Sequence, residues 1–258
     1  MKRYFLLPTL ILIVAACSDR PAAEAEGAIE RVPETVTIRA HSERLWSNKD
    51  VISVFDSDLN KVNLTTSQDN VPSATFSTKA WTGRLPVYAA FCSRKNETTC
   101  TPDGVMGVFI KSAQSTDRKN YCSKDGEAAV GKITGSTGSY EVSMKNVSAF
   151  VKVNLKTGIV GKISVSSNAG ETMTGYVDVD YAKVAADNVD FWTETPAKSH
   201  SSSITLTPSG DALENDAFKA GSYYVSLLPQ TYASGILFTL KNKSGDTLEH
   251  RPSEQREE

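Results

Sequence analysis

The sequence predicts an all-β protein built from antiparallel sandwiches. Three observations lead there. Ser, Thr, Val, Asn and Gly are plentiful, and long stretches with the helical period are absent. Short apolar runs alternate with polar residues at a period of two. Gly, Asn and Pro interrupt those runs at regular intervals, as turns between short strands require. Apolar residues make up 40% of the 258-residue chain, which is enough for a core and excludes a disordered chain. The formal net charge is -2 with both signs well mixed, so no basic face suggests nucleic acid.

The chain opens with Met1-Lys2-Arg3 and an apolar stretch from Tyr4 to Ala15. A basic start with a short apolar core reads as an export signal, too short to span a bilayer comfortably. The run Val14-Ala15-Ala16-Cys17 resembles the lipobox of bacterial lipoproteins. That resemblance implies a signal peptide over 1–16, cleavage before Cys17 and a lipid-carrying Cys17 at the new N-terminus. Several acyl chains on one residue give a stable anchor. Ser18 follows the cysteine where an acidic residue would favour the inner membrane, so the resemblance favours the outer one. Residues 17–33 are polar and small, and read as a flexible tether.

The first folded region is expected over 34–140. Val36 and Ile38 alternate within Thr35 to Arg39, and Asp50 opens the apolar run Val51 to Phe55. Val62 with Leu64 and Ala74 to Phe76 are short strand signals. Leu85, Val87, Ala89 and Phe91 alternate strictly, with Pro86 marking an edge strand or a strand start. Val105 to Ile110 is a compact apolar run. Lys, Gly, Ser and Thr dominate Arg118 to Ser139, where loops with one or two poor strands are expected.

The second region, 141–248, is cleaner. Val147, Ala149, Val151, Val153 and Leu155 define one face of a half-buried strand. After the turn at Thr157-Gly158, Ile159, Ile163 and Val165 define the next face. Val177, Val179 and Tyr181 alternate, as do Ile204 and Leu206, then Tyr223, Val225 and Leu227. Ile236, Phe238 and Leu240 form the last clear strand. Residues 249–258 are almost all charged and contain Pro252, so a charged, disordered tail unable to form a buried strand is expected.

The order of these segments resembles the fimbrillin family of Gram-negative anaerobes of the Bacteroidales type. The resemblance rests on Trp46 with Asp50 to Phe55, on Ala74 to Phe76, and on Val87 to Phe91. It continues through Met144 to Val153, Ile163 to Ser166, and Met173 to Gly175. Its most specific stretch is Phe218-Lys-Ala-Gly-Ser-Tyr-Tyr-Val-Ser-Leu-Leu-Pro229. It implies two tandem Greek-key sandwiches of transthyretin-like type and a surface-anchored fimbrial or adhesin subunit, with no chemistry of its own. Its partners would be other fimbrial subunits, or host or bacterial surface receptors, with the membrane held through the lipid. Such subunits are thought to assemble by strand exchange after proteolysis at an arginine. Arg31, Arg39 and Arg44 lie in the right region, and Arg39-Ala40 is the preferred bond. The alternative is a monomeric outer-membrane lipoprotein that binds glycans, with Trp81 and Trp192 as candidate contacts because polar loop residues flank them.

Remaining features carry little chemistry. Cys92, Cys100 and Cys122 would meet an oxidising compartment. Cys92 and Cys100 are the candidate disulfide, which would close the loop Ser93 to Thr99 if the flanking strands pair; Cys122 can replace either partner, so three pairings stay open. His41, His200 and His250 are far apart in sequence, and no cysteine spacing suits zinc. Asp56 to Asn60 begins like a calcium loop but has Lys61 where such a loop needs Gly; it reads as a polar turn. No nucleophile–base pair or paired-carboxylate motif stands out, so neither an enzyme nor a cofactor is expected.

Overall fold

The computed structural model describes residues 35–252 apart from 80, 82, 118–121 and 137. The expectations for the signal peptide, Cys17, the tether, Arg31 and residues 253–258 lie outside the described residues. In chain order the elements are β1 (Val36–Trp46), β2 (Val51–Asp56), β3 (Lys61–Thr65), β4 (Val71–Thr78), β5 (Pro86–Cys92), β6 (Thr99–Cys100), β7 (Val105–Ile110) and β8 (Ala113–Thr116). They continue with β9 (Ala128–Ser136), β10 (Ser139–Ser143), β11 (Lys145–Asn146), β12 (Ala149–Leu155), β13 (Lys162–Ser167) and β14 (Thr174–Asp180). The helix α1 (Tyr181–Ala185) follows, then β15 (Trp192–Glu194), β16 (His200–Ser201), β17 (Ser203–Pro208) and β18 (Leu213–Glu214). The last four are β19 (Ala217–Phe218), β20 (Gly221–Leu227), β21 (Ile236–Lys241) and β22 (Thr247–Pro252). Strand accounts for 56% of the structure and helix for 5%, so the protein is all-β.

The largest sheet runs β3-β2-β5-β9-β10-β1-β4, with β11 pairing beside β9. Its long strand β9 serves two neighbours in succession: residues 128–132 pair with β5, and residues 133–136 pair with β10. The apolar faces of its main strands meet in one core. Ile38 and Trp46 of β1, Ile52 of β2, Phe76 of β4, Phe91 of β5 and Tyr140 of β10 are among its members, together with Trp81. Trp46 stands edge-on to Phe76 and Phe91, with centroids 5.2 and 5.6 Å apart.

The other face of β2, β5 and β9 is covered by a second sheet, β15-β14-β7-β6, with β16 pairing beside β14. Phe55, Ala90, Cys92 and Val130 there meet Met106 and Ile110 of β7 and Val177 and Val179 of β14. Strands β5 and β9 are therefore buried on both faces. This accounts for the unbroken apolar run Ala89 to Cys92, because a strand with two dry faces has no polar side to alternate. The poor strands expected over 118–139 are corrected for the same reason. β9 is a central strand, and Ala128, Ala129 and Gly131 are small because neighbours press from both sides. A Cβ at Gly131 would lie 2.5 Å from Val142 and 2.9 Å from the Ser143 carbonyl.

A third core lies between β12-β20 and the sheet β22-β21-β13-β17-β8. It contains Leu155, Tyr223, Val225 and Leu227 opposite Ile163, Val165, Ile204 and Leu206. The division expected between residues 140 and 141 falls inside β10, and pairing crosses it: β7 binds β14, and β8 runs parallel to β17. Three local expectations are corrected. Ile159 lies outside any strand and is 59% exposed. Tyr181 starts α1 rather than ending a strand, because the Asp180 carboxylate accepts from the Ala182 and Lys183 amides and caps a helix there. The disordered tail begins too early at 249: the turn at Gly245 (φ +94°) returns the chain so that Thr247–Pro252 pairs with β21. An edge strand needs only backbone pairing, so its lack of an apolar face does not prevent it.

Candidate functional site: strand β1 and the charged seat at Arg44

Strand β1 lies between two others. It runs parallel to β10 from Thr37↔Ser139 to His41↔Ser143, and antiparallel to β4 from Val36↔Thr78 to His41↔Ser73. Val36, Ile38 and Ala40 point inward and are fully buried, while Arg39 between them is exposed. The register against β4 shifts between His41 and Trp46. In that irregular segment the Arg44 side chain turns inward.

The Arg44 guanidinium joins two acids. Nη1 donates to Glu127 Oε2 at 2.6 Å, and Nη2 donates to Asp50 Oδ2. Nε and Nη2 also reach the Leu45 carbonyl at 3.4 and 3.3 Å. The guanidinium carbon sits 4.3 Å from the Phe91 ring centroid and 5.1 Å from that of Trp46. Asp50 further accepts from the Ser47 amide at 2.7 Å and from Lys124 Nζ at 3.2 Å. The C-terminal end of β1 is thus tied to the β1–β2 turn and to the segment entering β9.

Burial pushes the Glu127 carboxyl up to about 7, against the pull of Arg44 and Lys124 and aided by Asp50. A small cavity of about 230 Å³ lies beside it, lined by Arg44, Phe91, Cys122, Glu127 and Phe150. Burial also pushes the Cys122 thiol up to about 12, so it is protonated at neutral pH and a poor nucleophile.

The structure separates the sequence-predicted residues. Arg39 and Arg44 share β1, but Arg39 is exposed and Arg44 is engaged with two acids and two rings, so Arg44 is corrected as an open processing site. Trp81 is 4% exposed in the first core, with Nε1 donating to the Arg84 carbonyl at 2.9 Å, and cannot stack on a glycan. Trp192 is half-buried, its Nε1 donates to the Pro229 carbonyl at 3.0 Å, and it lines a surface cleft. Cys92, Cys100 and Cys122 are free thiols. The strand pairing expected to accompany a Cys92–Cys100 link is not formed: β5 pairs with β2 and β9, while β6 pairs with β7. The Asp56 loop is a turn centred on a buried carboxylate, whose Oδ1 accepts from the Asp58 and Asn60 amides at 2.9 Å each. Among the described residues, no group of three or more His, Cys, Asp or Glu is placed to hold a metal ion.

Sequence reasoning missed Glu127 and Asp50 as partners of Arg44. Glu127 is 83 residues away from it, and only the folded sheet brings them together. Compared with family models, curated proteins and solved structures, the chain matches none.

Proposed function

We infer that this chain is a surface-anchored, non-enzymatic fimbrial or adhesin subunit of the fimbrillin type, assembling with other subunits by β-strand exchange. In this reading the first and third cores are tandem Greek-key sandwiches, and Cys17 carries the lipid that ties the mature protein to the outer membrane. One observation carries the reading: β1 supplies Val36, Ile38 and Ala40 to the first core while lying between β10 and β4. Removing Val36–Arg39 would uncover an apolar slot flanked by two strand edges with unpaired backbone groups. A strand donated by another subunit satisfies both.

Arg39 is the favoured cleavage point because its side chain faces solvent, whereas Arg44 is held inward. The Arg44 contacts would keep Ala40–Trp46 seated after the cut, so the slot opens at one end only. The test is treatment of the full chain with an Arg-specific protease, followed by N-terminal sequencing and electron microscopy. Ala40 as the new terminus together with fibres supports strand exchange. A chain cut after Arg39 that stays monomeric at high concentration overturns it.

A further inference from the structure

The cleft at Trp192 is independent of β1 and of strand exchange. Its volume is about 680 Å³, within the range of small-molecule sites. Phe191 and Trp192 form its apolar wall, both half-buried against the second core. The indole is held from behind, because Nε1 donates to the Pro229 carbonyl and β15 pairs with β14 at Val179↔Trp192. Polar groups surround the wall: Asn188, Asp190 and Gln230 come from two separate connections, and the Lys145–Asp187 pair at 3.6 Å closes one side. The Asp187 backbone has φ +54°, which turns the chain sharply after α1 and carries Asn188 to Asp190 over the cleft.

We propose that this cleft binds a neutral saccharide, which stacks one sugar face on Trp192 and gives its hydroxyls to Asp190, Asn188 and Gln230. The chemistry selects that class. A sugar ring presents C–H groups on one face, which suit an aromatic surface, and hydroxyls at its edge, which suit carboxylate and amide acceptors. Asp187 and Asp190 against Lys145 leave the rim with excess negative charge, which disfavours anionic sugars. The open, solvated shape fits weak single-site binding, strengthened where many copies are displayed together.

The other two tryptophans make the test direct. Trp46 is fully buried and Trp81 nearly so, which leaves Trp192 as the indole a ligand can reach. The full chain is titrated with glucose, galactose, N-acetylglucosamine and their β-linked disaccharides, and with N-acetylneuraminic acid as the anionic probe. Tryptophan fluorescence and saturation-transfer NMR are the readouts. At least one neutral sugar should shift the fluorescence with millimolar or better affinity. Asp190→Ala and Asn188→Ala lie on the exposed rim and leave the packing intact; each should weaken that binding tenfold or more. Trp192→Phe should abolish the fluorescence change. No response to any neutral sugar at 50-fold excess over the millimolar range, tighter binding of the anionic probe, or binding unaltered by the rim variants each overturns the proposal.

Discussion

Gln114 completes the open edge of β20 with its side chain. Its Nε2 donates to the Ser226 carbonyl at 2.7 Å, and its Oε1 accepts from the Ser226 amide at 3.0 Å. The carboxamide thus stands where a neighbouring strand's peptide group would. Cys122 bridges Tyr224 two residues away on the same edge. Buried backbone groups must be paired, and here β20 has only β12 as a full strand partner among the described residues.

Gln114→Leu should therefore destabilise the protein by about 2–3 kcal/mol, since it strands a buried donor and a buried acceptor together. Gly126→Ala should act through the same contact, because its Cβ would lie 2.6 Å from Gln114 Nε2 and 2.5 Å from Ser226 Cβ. Urea denaturation of both variants and of the pair checks this. The effects should be clearly less than additive, because both disturb one contact.

Arg44→Lys should be far from conservative. A lysine cannot reach two acids in fork geometry or lie flat on Phe91. Arg44→Ala leaves Asp50 and Glu127 buried without their shared cation and should cost about 3 kcal/mol. Thermal unfolding at pH 7 measures both, with Arg44→Lys falling between the native chain and Arg44→Ala.

Stability should fall as pH rises through the window set by Glu127. Its folded pKa is raised from 4.5 to about 7, so between those values the native state holds a proton that the unfolded state has released. Below the window both states are protonated; above it both are ionised, and the loss is complete. Arg44, Asp50 and Lys124 are the charged groups facing it, and Glu127→Gln removes the titration while keeping an acceptor for Arg44. Urea midpoints at pH 4.5 and 7.5 should show a smaller drop for the variant than for the native chain.

The three described thiols should resist alkylation in the folded state. Burial raises all of them, Cys100 to about 11 and Cys122 to about 12. For Cys100 and Cys122 the thiolate fraction at pH 8 is then on the order of 100-fold or more below that of an open cysteine, and burial moves Cys92 in the same direction. Mass spectrometry without reductant should show slow labelling by iodoacetamide in buffer, and three adducts on these cysteines in urea. A missing pair of adducts in urea would reveal a disulfide.

Much of the β architecture was legible in the chain. The alternation from Ala149 to Leu155 marks β12, and Pro86 marks the start of β5, as a residue without an amide proton can. Strand β9 was not legible, because a strand buried on both faces by Ala and Gly neighbours has no alternation to display. Strand β22 was missed because edge pairing uses backbone groups, which every residue but proline supplies in full. In the candidate sites, exposure could not be read from local polarity. Trp81 and Trp192 both have polar neighbours, yet one is inside a core and the other lines a cleft.

The all-β class and the faces of the half-buried strands follow from the order of residues alone, because alternation against solvent is a local property of each segment. Which strand lies beside which, that Arg44 meets Glu127 and Asp50, that β5 and β6 do not pair, and that Gln114 serves the edge of β20 emerge only in the folded chain. Those relations join residues far apart in the chain. They are selected by which arrangement buries both faces of β5 and β9 while pairing the buried backbone groups, a condition that no local stretch of residues expresses.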